Sequence, residues 1–511
     1  MLSFNNIQEL CNNYQMENYT ITSIVLFPII FILLPLLYLS LKSRQSKLPP
    51  GPKPWPIIGN ILLLGDKPHQ SVAKLSKIYG PLMSLKLGSI TTIVISSPTI
   101  AKEMFLKHDL AFSSRNVPDV RTIDNHDKLS IVWLPVCPKW RDLRKIATIQ
   151  LFTNQRLDAT RDLRRKKVEE LVGYARQCCE QGLALDIGKA AFTTSLNLLS
   201  NTFFSMNLGS HDSSWSQEFK ELVWNLLEEG AKPNVSDYFP ILKRFDLQGA
   251  VRRVSRYVDK LMAVFEDIID ERLKNSTEAK DDVLNLLINL VKENELSLHN
   301  VKHMLFDLFL AGTDTTSSTV EWAMAELQRH PEKMLKAQAE IDQVIPNDGF
   351  VQEMDISKLA YIQAIVKETL RLHPPAPFLI PHKTVKDVQL CDYTVPKNAL
   401  VWVNVWSIGR DPSVWTDPDS FVPERFLERE IDFKGRNFEL IPFGAGRRTC
   451  PGMPLAYRMT HLMLATLLHS FDWKLSDGVN PENLDMEEKF GITVQKVQPL
   501  QLIPAVRGSR K

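Results

Sequence analysis

The ten residues Phe443-Gly444-Ala445-Gly446-Arg447-Arg448-Thr449-Cys450-Pro451-Gly452 constrain this chain more than any other stretch. Three glycines surround one sulfur and let the backbone fold tightly around it and approach a flat ligand closely. Amide N–H groups turned toward that sulfur can hydrogen-bond and tune it. Arg447 and Arg448 add positive charge, which favours a thiolate. A helix is expected to start at Pro451, and its N-terminal dipole acts in the same sense. A phosphate loop would require a third glycine where Thr449 stands. An inert glycine turn around a buried cysteine is the other alternative. The local chemistry favours a reactive or metal-bound Cys450.

The remaining cysteines, Cys11, Cys137, Cys178, Cys179 and Cys391, are scattered over 511 residues and show neither a disulfide framework nor zinc spacing. A formal charge of +2 gives no support for nucleic-acid binding. Long helical periodicities cover Gln217–Glu229, Val251–Lys274, Val301–His330, Pro331–Val344 and Tyr361–Leu372. Leu82–Leu87, the turn Gly88-Ser89 and Thr91–Ser96 form a hairpin pattern. A second strand pair is expected from Val388–Val395 and Leu400–Trp406. The body therefore reads as mainly α with a smaller β portion. One helical window has an unusual middle, Ala311-Gly312-Thr313-Asp314-Thr315-Thr316-Ser317-Ser318-Thr319. Glycine costs about 1 kcal/mol in a helix, and Thr and Ser hydroxyls compete for its carbonyls. The readings are a break between two helices, or a local distortion that makes room for a small ligand.

The cysteine loop matches FxxGxRxCxG through Phe443, Gly446, Arg448, Cys450 and Gly452, and so resembles the signature of the cytochrome P450 superfamily. The resemblance implies a single-domain haem-thiolate fold, haem b as cofactor, and Cys450 as the axial ligand of its iron. It puts Phe443 beside the sulfur and Arg448 on a haem propionate. The run 311–319 resembles the family's AGxDTT element. There Thr315 hydrogen-bonds the oxygen species and Asp314 relays the protons that O–O cleavage consumes. Trp140 and Arg144 form a WxxxR that would cap a propionate. His382 stands where many relatives have a propionate-binding arginine. Glu368, Arg371 and Arg425 match ExxR and Pro-Glu-Arg-Phe, implying a buried network that specifies structure. The pocket implied by resemblance comprises Ile131, Phe306, Phe309, Leu310, Ala311, Ala376, Leu379, Ile380, Ile492 and Thr493, and is predominantly apolar. No obvious cation is placed in it to hold a substrate carboxylate, with Arg121 expected only near the B–C region of the family's fold. The stretches 186–200 and 234–242 are similar to the plant family of geraniol hydroxylases, ferruginol-forming oxidases and betalain-pathway tyrosine hydroxylases. An apolar pocket suits a monoterpenol or other terpenoid. Tyrosine or another phenolic is the alternative, and its sign would be a charged residue facing the pocket. A non-catalytic haem sensor is a remote third reading.

Ile21–Leu41 carries no charge over 21 residues, enough at ~1.5 Å per residue to cross one bilayer core. Lys42, Arg44 and Lys47 follow it, while only Glu9 and Glu17 are charged before it. The positive-inside rule puts residues 1–20 in the lumen and the body in the cytosol. The expected organisation is a transmembrane anchor at 21–41, a basic and proline-rich connector at 42–60, and a catalytic body at 61–511 of a single-pass endoplasmic-reticulum protein. No nicotinamide or flavin fingerprint occurs. Electrons are therefore expected from a separate protein, and the resemblance implies NADPH-cytochrome P450 reductase, docked on a basic face formed by Lys139, Arg141, Lys145 and Arg447.

Overall fold

The computed structural model describes residues 48–274, 282–346, 349–476 and 479–507. The expected anchor lies outside them. Among the described residues no helix is long and apolar enough to cross a membrane.

The elements that position the site are β1 (Leu82–Leu87), β2 (Ile90–Ile95), β3 (Ser114–Arg115), α1 (Pro138–Ile146), α2 (Ile187–Phe204), α3 (Leu298–Arg329), α4 (Ala360–Leu372), β4 (His382–Lys383), β5 (Leu400–Val403) and α5 (Met453–Ser470). The architecture is mainly helical, with α3 running through its centre against α2, α4 and α5. The side chain of Asp186 caps α2 by accepting from Lys189 N at 2.7 Å. Ser297 caps α3 in the same way, from Asn300 N at 3.1 Å, and α3 ends before Pro331, where a new helix starts. Gly312 lets α2 and α3 approach closely: a Cβ there would lie 2.9 Å from Leu199 Cδ1.

The expected first hairpin is present, with Leu82 opposite Ile95 and Leu87 opposite Ile90. The second pair differs from expectation. Val388–Leu390 pairs with Tyr393–Val395 instead. β5 runs parallel to β2 and antiparallel to β4, in a five-stranded sheet ordered β1-β2-β5-β4-β3. Its fully buried residues suit an interior strand better than one arm of an exposed hairpin. The proline-rich stretch is docked rather than free from Pro49 onward. Pro50 O accepts from Ser84 N at 2.8 Å and Pro49 O from Ser84 Oγ at 2.7 Å. Thus 48–60, expected as connector, packs on the body through β1.

Candidate haem and substrate site

An interior cavity of about 320 Å³ opens between α3, the β3–β4 edge and the cysteine loop. Cys450 Sγ faces it. Cys450 N donates to Phe443 O at 2.9 Å, closing the loop, and Phe443 also lines the cavity. Burial pushes the Cys450 thiol up, while the amides of Gly452 and Met453 and the charge of Arg144 pull it down. The helix starts two residues later than expected, at Met453, with Gly452 as its cap. Arg447 does not serve the sulfur. It is exposed and pairs with Asp109 Oδ2 at 3.0 Å.

Three guanidiniums, of Arg115, Arg144 and Arg448, line the same cavity. Arg448 donates to Ser113 O at 2.9 Å and lies over the Trp140 ring. Arg144 donates to Thr449 O. Arg115, which the sequence reading missed, donates to Ile380 O and Pro381 O while its Nε has no partner. Among the described residues none of the three has a carboxylate within ion-pair distance. Burial, Arg448 and Arg144 together hold Arg115 well below the usual arginine range. Such a cluster is short of anionic partners. Two propionates would supply them, so the residues fit a haem set between these arginines and Cys450. His382 lines the same rim, but its Nδ1 pairs with Phe112 O at 2.8 Å, and burial and Arg115 keep it neutral. Trp140 Nε1 donates to Ile131 O at 2.9 Å.

α3 forms one wall and is continuous, so no break or interrupted turn occurs at 311–319. Its hydroxyls bond back along the helix: Thr313 to Phe309 O at 2.8 Å, Thr315 to Ala311 O at 2.7 Å, and Thr319 to Thr315 O at 2.8 Å. Room comes instead from the small side chains of Ala311 and Gly312, which line the cavity with Thr315. Asp314 faces away from the cavity. Its carboxylate accepts from Thr493 Oγ1 and Gln495 Nε2, and Thr493 lines the cavity. Burial raises the Asp314 carboxyl, opposed by Thr493, Lys220 and Gln495.

Of the expected pocket residues, Ile131, Phe306, Leu310, Ala311, Ala376, Leu379, Ile380, Ile492 and Thr493 line the cavity. Phe309 does not. It points to the opposite side of α3, stacked on Phe204 at 5.5 Å and packed against Phe203 and Phe265. The wall also carries groups the sequence reading passed over, His126 and Asp307, together with Arg121. Arg121 is buried, donates to Leu226 O at 2.9 Å and leaves Nε unpartnered. Away from the cavity, Glu368 accepts from Arg371 at 2.7 and 2.8 Å, from Arg425 at 3.1 Å and from Val422 N at 2.7 Å. The expected three-residue network is therefore present.

The cytochrome P450 family model matches residues 49–502, and the chain belongs to that family. Its cofactor is accordingly a haem iron, and it is an oxidoreductase of the monooxygenase type. It is 57% identical over 472 residues to cytochrome P450 76AD1 of Beta vulgaris, covering 91% of this chain and 95% of that protein. It is 53% identical over 466 residues to geraniol 8-hydroxylase of Swertia mussotii, covering 90% and 94%. It is 49% identical over 474 residues to drimenol monooxygenase of Persicaria hydropiper, covering 92% and 94%.

Proposed function

We propose that this chain hydroxylates a terpenoid alcohol, with Cys450 as the thiolate on the haem iron. Arg115, Arg144 and Arg448 hold the propionates, and Trp140 and His382 complete that rim. The haem, when bound, supplies activation of O2 and transfer of one of its atoms to the substrate. The second atom leaves as water and takes two protons. Thr315, on the cavity wall, presents those protons, and Asp314 draws on the buried path through Thr493 and Gln495. The observation that carries the substrate reading is the apolar wall of Phe306, Leu310, Ala311, Leu379 and Ile492 around Thr315. Relatives that share about half of the sequence are named for geraniol and drimenol. Electrons come from NADPH-cytochrome P450 reductase. Lys139, Arg141 and Lys145 are exposed on α1, which also carries Arg144 to the cysteine loop. The uncharged stretch 21–41, followed by Lys42, Arg44 and Lys47, supports a cytosol-facing body at the endoplasmic reticulum.

Arg121 favours a second reading. A buried guanidinium with a free Nε on the cavity wall suits the carboxylate of tyrosine or a related phenolic acid. Microsomes containing the chain and its reductase, given NADPH and either geraniol or tyrosine, separate the two. Hydroxygeraniol alone supports the terpenoid reading. A hydroxylated tyrosine alone replaces it with the Arg121-anchored one.

A further inference from the structure

Apart from the haem cavity, a second cluster of metal-ligating side chains lies where the segment Ile123–Lys128 crosses the first turns of α3. His299 and His303 are four residues apart and share one helix face. Asp124 reaches them from the crossing segment. Its Oδ2 lies 3.2 Å from His303 Nε2 and its Oδ1 lies 3.8 Å from His299 Nε2. One ligand atom from each residue can be chosen so that all three lie within 4.8 Å of one another. Two ligands bound at about 2.1 Å to a tetrahedral ion stand about 3.4 Å apart, so these spacings are those of a coordination shell that needs only small movements to close.

The buried side of the cluster supplies an independent argument. His303 is 0% exposed, and its Nε2 makes no hydrogen bond. Its Nδ1 lies 2.8 Å from His126 Nδ1. The other nitrogen of His126, Nε2, lies 3.2 Å from Asp307 Oδ1. For a neutral His126 the proton belongs on Nε2, where it faces a carboxylate. His126 Nδ1 then carries a lone pair and must accept from His303 Nδ1–H. That assignment leaves a lone pair on His303 Nε2, aimed at the carboxylate of Asp124. Two acceptors face each other at 3.2 Å, and a cation between them resolves the conflict. The chain Asp307–His126–His303 is also the carboxylate-backed orientation that metal-bound histidines commonly have.

We propose that Asp124, His299 and His303 form a binding site for a divalent transition-metal ion of the zinc type, with water completing the tetrahedron. Two imidazoles and one carboxylate suit zinc better than magnesium or calcium, which prefer all-oxygen shells. The bound ion ties the segment Ile123–Lys128 to α3. That segment carries His126 and leads to Ile131, and both line the cavity. The ion would therefore stiffen one wall of the substrate site without touching the haem.

The test uses the full chain as purified holoenzyme, stripped with a chelator and dialysed against micromolar zinc, with zinc and iron counted by mass spectrometry. The unmodified enzyme should take up one zinc per haem iron. His299→Ala and Asp124→Asn remove ligands that are about half exposed, so both should fold and keep the reduced carbon monoxide spectrum. Each should weaken zinc binding by about tenfold or more. His108→Ala, away from the cluster, should leave uptake unchanged. Absence of stoichiometric uptake by the unmodified enzyme overturns the proposal. So does uptake at unchanged affinity in either ligand variant, which would place the zinc elsewhere.

Discussion

The hydroxyl of Thr493 donates to the buried carboxylate of Asp314, and only Thr493 of the two faces the cavity. The acid beside the oxygen-side threonine therefore reaches the cavity through a hydroxyl on another segment. Thr315 and Thr493 both line the cavity, and on the proposed reading each offers a hydroxyl for proton delivery. Thr315→Ala should keep haem and the carbon monoxide spectrum while product formed per NADPH falls about tenfold or more. Thr493→Val should reduce coupling less, because Thr315 remains. Equal coupling in Thr315→Ala and the parent enzyme would remove Thr315 from proton delivery.

Cys450 is the only cysteine on the cavity wall among the described residues. Cys450→Ser preserves shape but substitutes a weakly acidic hydroxyl for the thiol. The expected result is loss of the thiolate-type band in the reduced carbon monoxide spectrum. A surviving band would assign the ligand to another residue.

The Glu368–Arg371 pair is fully buried, with both side chains 0% exposed. Glu368 also receives Arg425 and Val422 N. Glu368→Gln leaves the Arg371 charge without its counter-charge, a change that costs about 3–5 kcal/mol for a buried pair. The variant should accumulate little folded holoenzyme, read as the carbon monoxide band per milligram of protein. Because Glu368 is not among the residues lining the haem and substrate cavity, whatever folds should turn over with a normal KM.

The cysteine loop, the AGxDTT run and the ExxR pair were legible because each is a local string whose residues stay together in space. What was missed depends on tertiary placement. Arg115 sits in a two-residue strand with no pattern of its own, and only its pairing opposite His382 brings it to the rim. The side of Phe309 is not legible because α3 is buried on nearly every side and residues 304–311 are apolar except Asp307, so periodicity does not say which apolar face meets the cavity. Phe306 and Leu310, four apart, face it, while Phe309 meets the aromatic cluster around Phe204. The strand Leu400–Val403 was recognised but mispaired, since its parallel partner lies some 300 residues earlier in the chain. The hydroxyl run of α3 suggested distortion, yet its side chains bond to carbonyls four residues back and the helix stays intact.

Burial raises the Asp314 carboxyl above its ordinary value, and this has a consequence for stability. The folded state holds that proton more tightly than the unfolded chain, whose aspartate titrates near about 4. As pH rises from there through the raised folded value, the unfolded state releases its proton first and the protein loses stability. Above the folded value both states are ionised and the loss is constant; below the unfolded value it vanishes. Asp314→Asn has no proton to release and can still accept from Thr493 and donate to a neighbour. Its stability relative to the parent should therefore increase with pH across the mildly acidic range and then level off. Urea midpoints of the two holoenzymes, measured in parallel over that range, isolate the Asp314 contribution because all other titrating groups are shared. A difference that stays flat would mean that Thr493, Lys220 and Gln495 balance the burial, and one that shrinks as pH rises that they outweigh it. Asp314 would then hold no proton ready for the Thr493 hydroxyl that reaches the cavity.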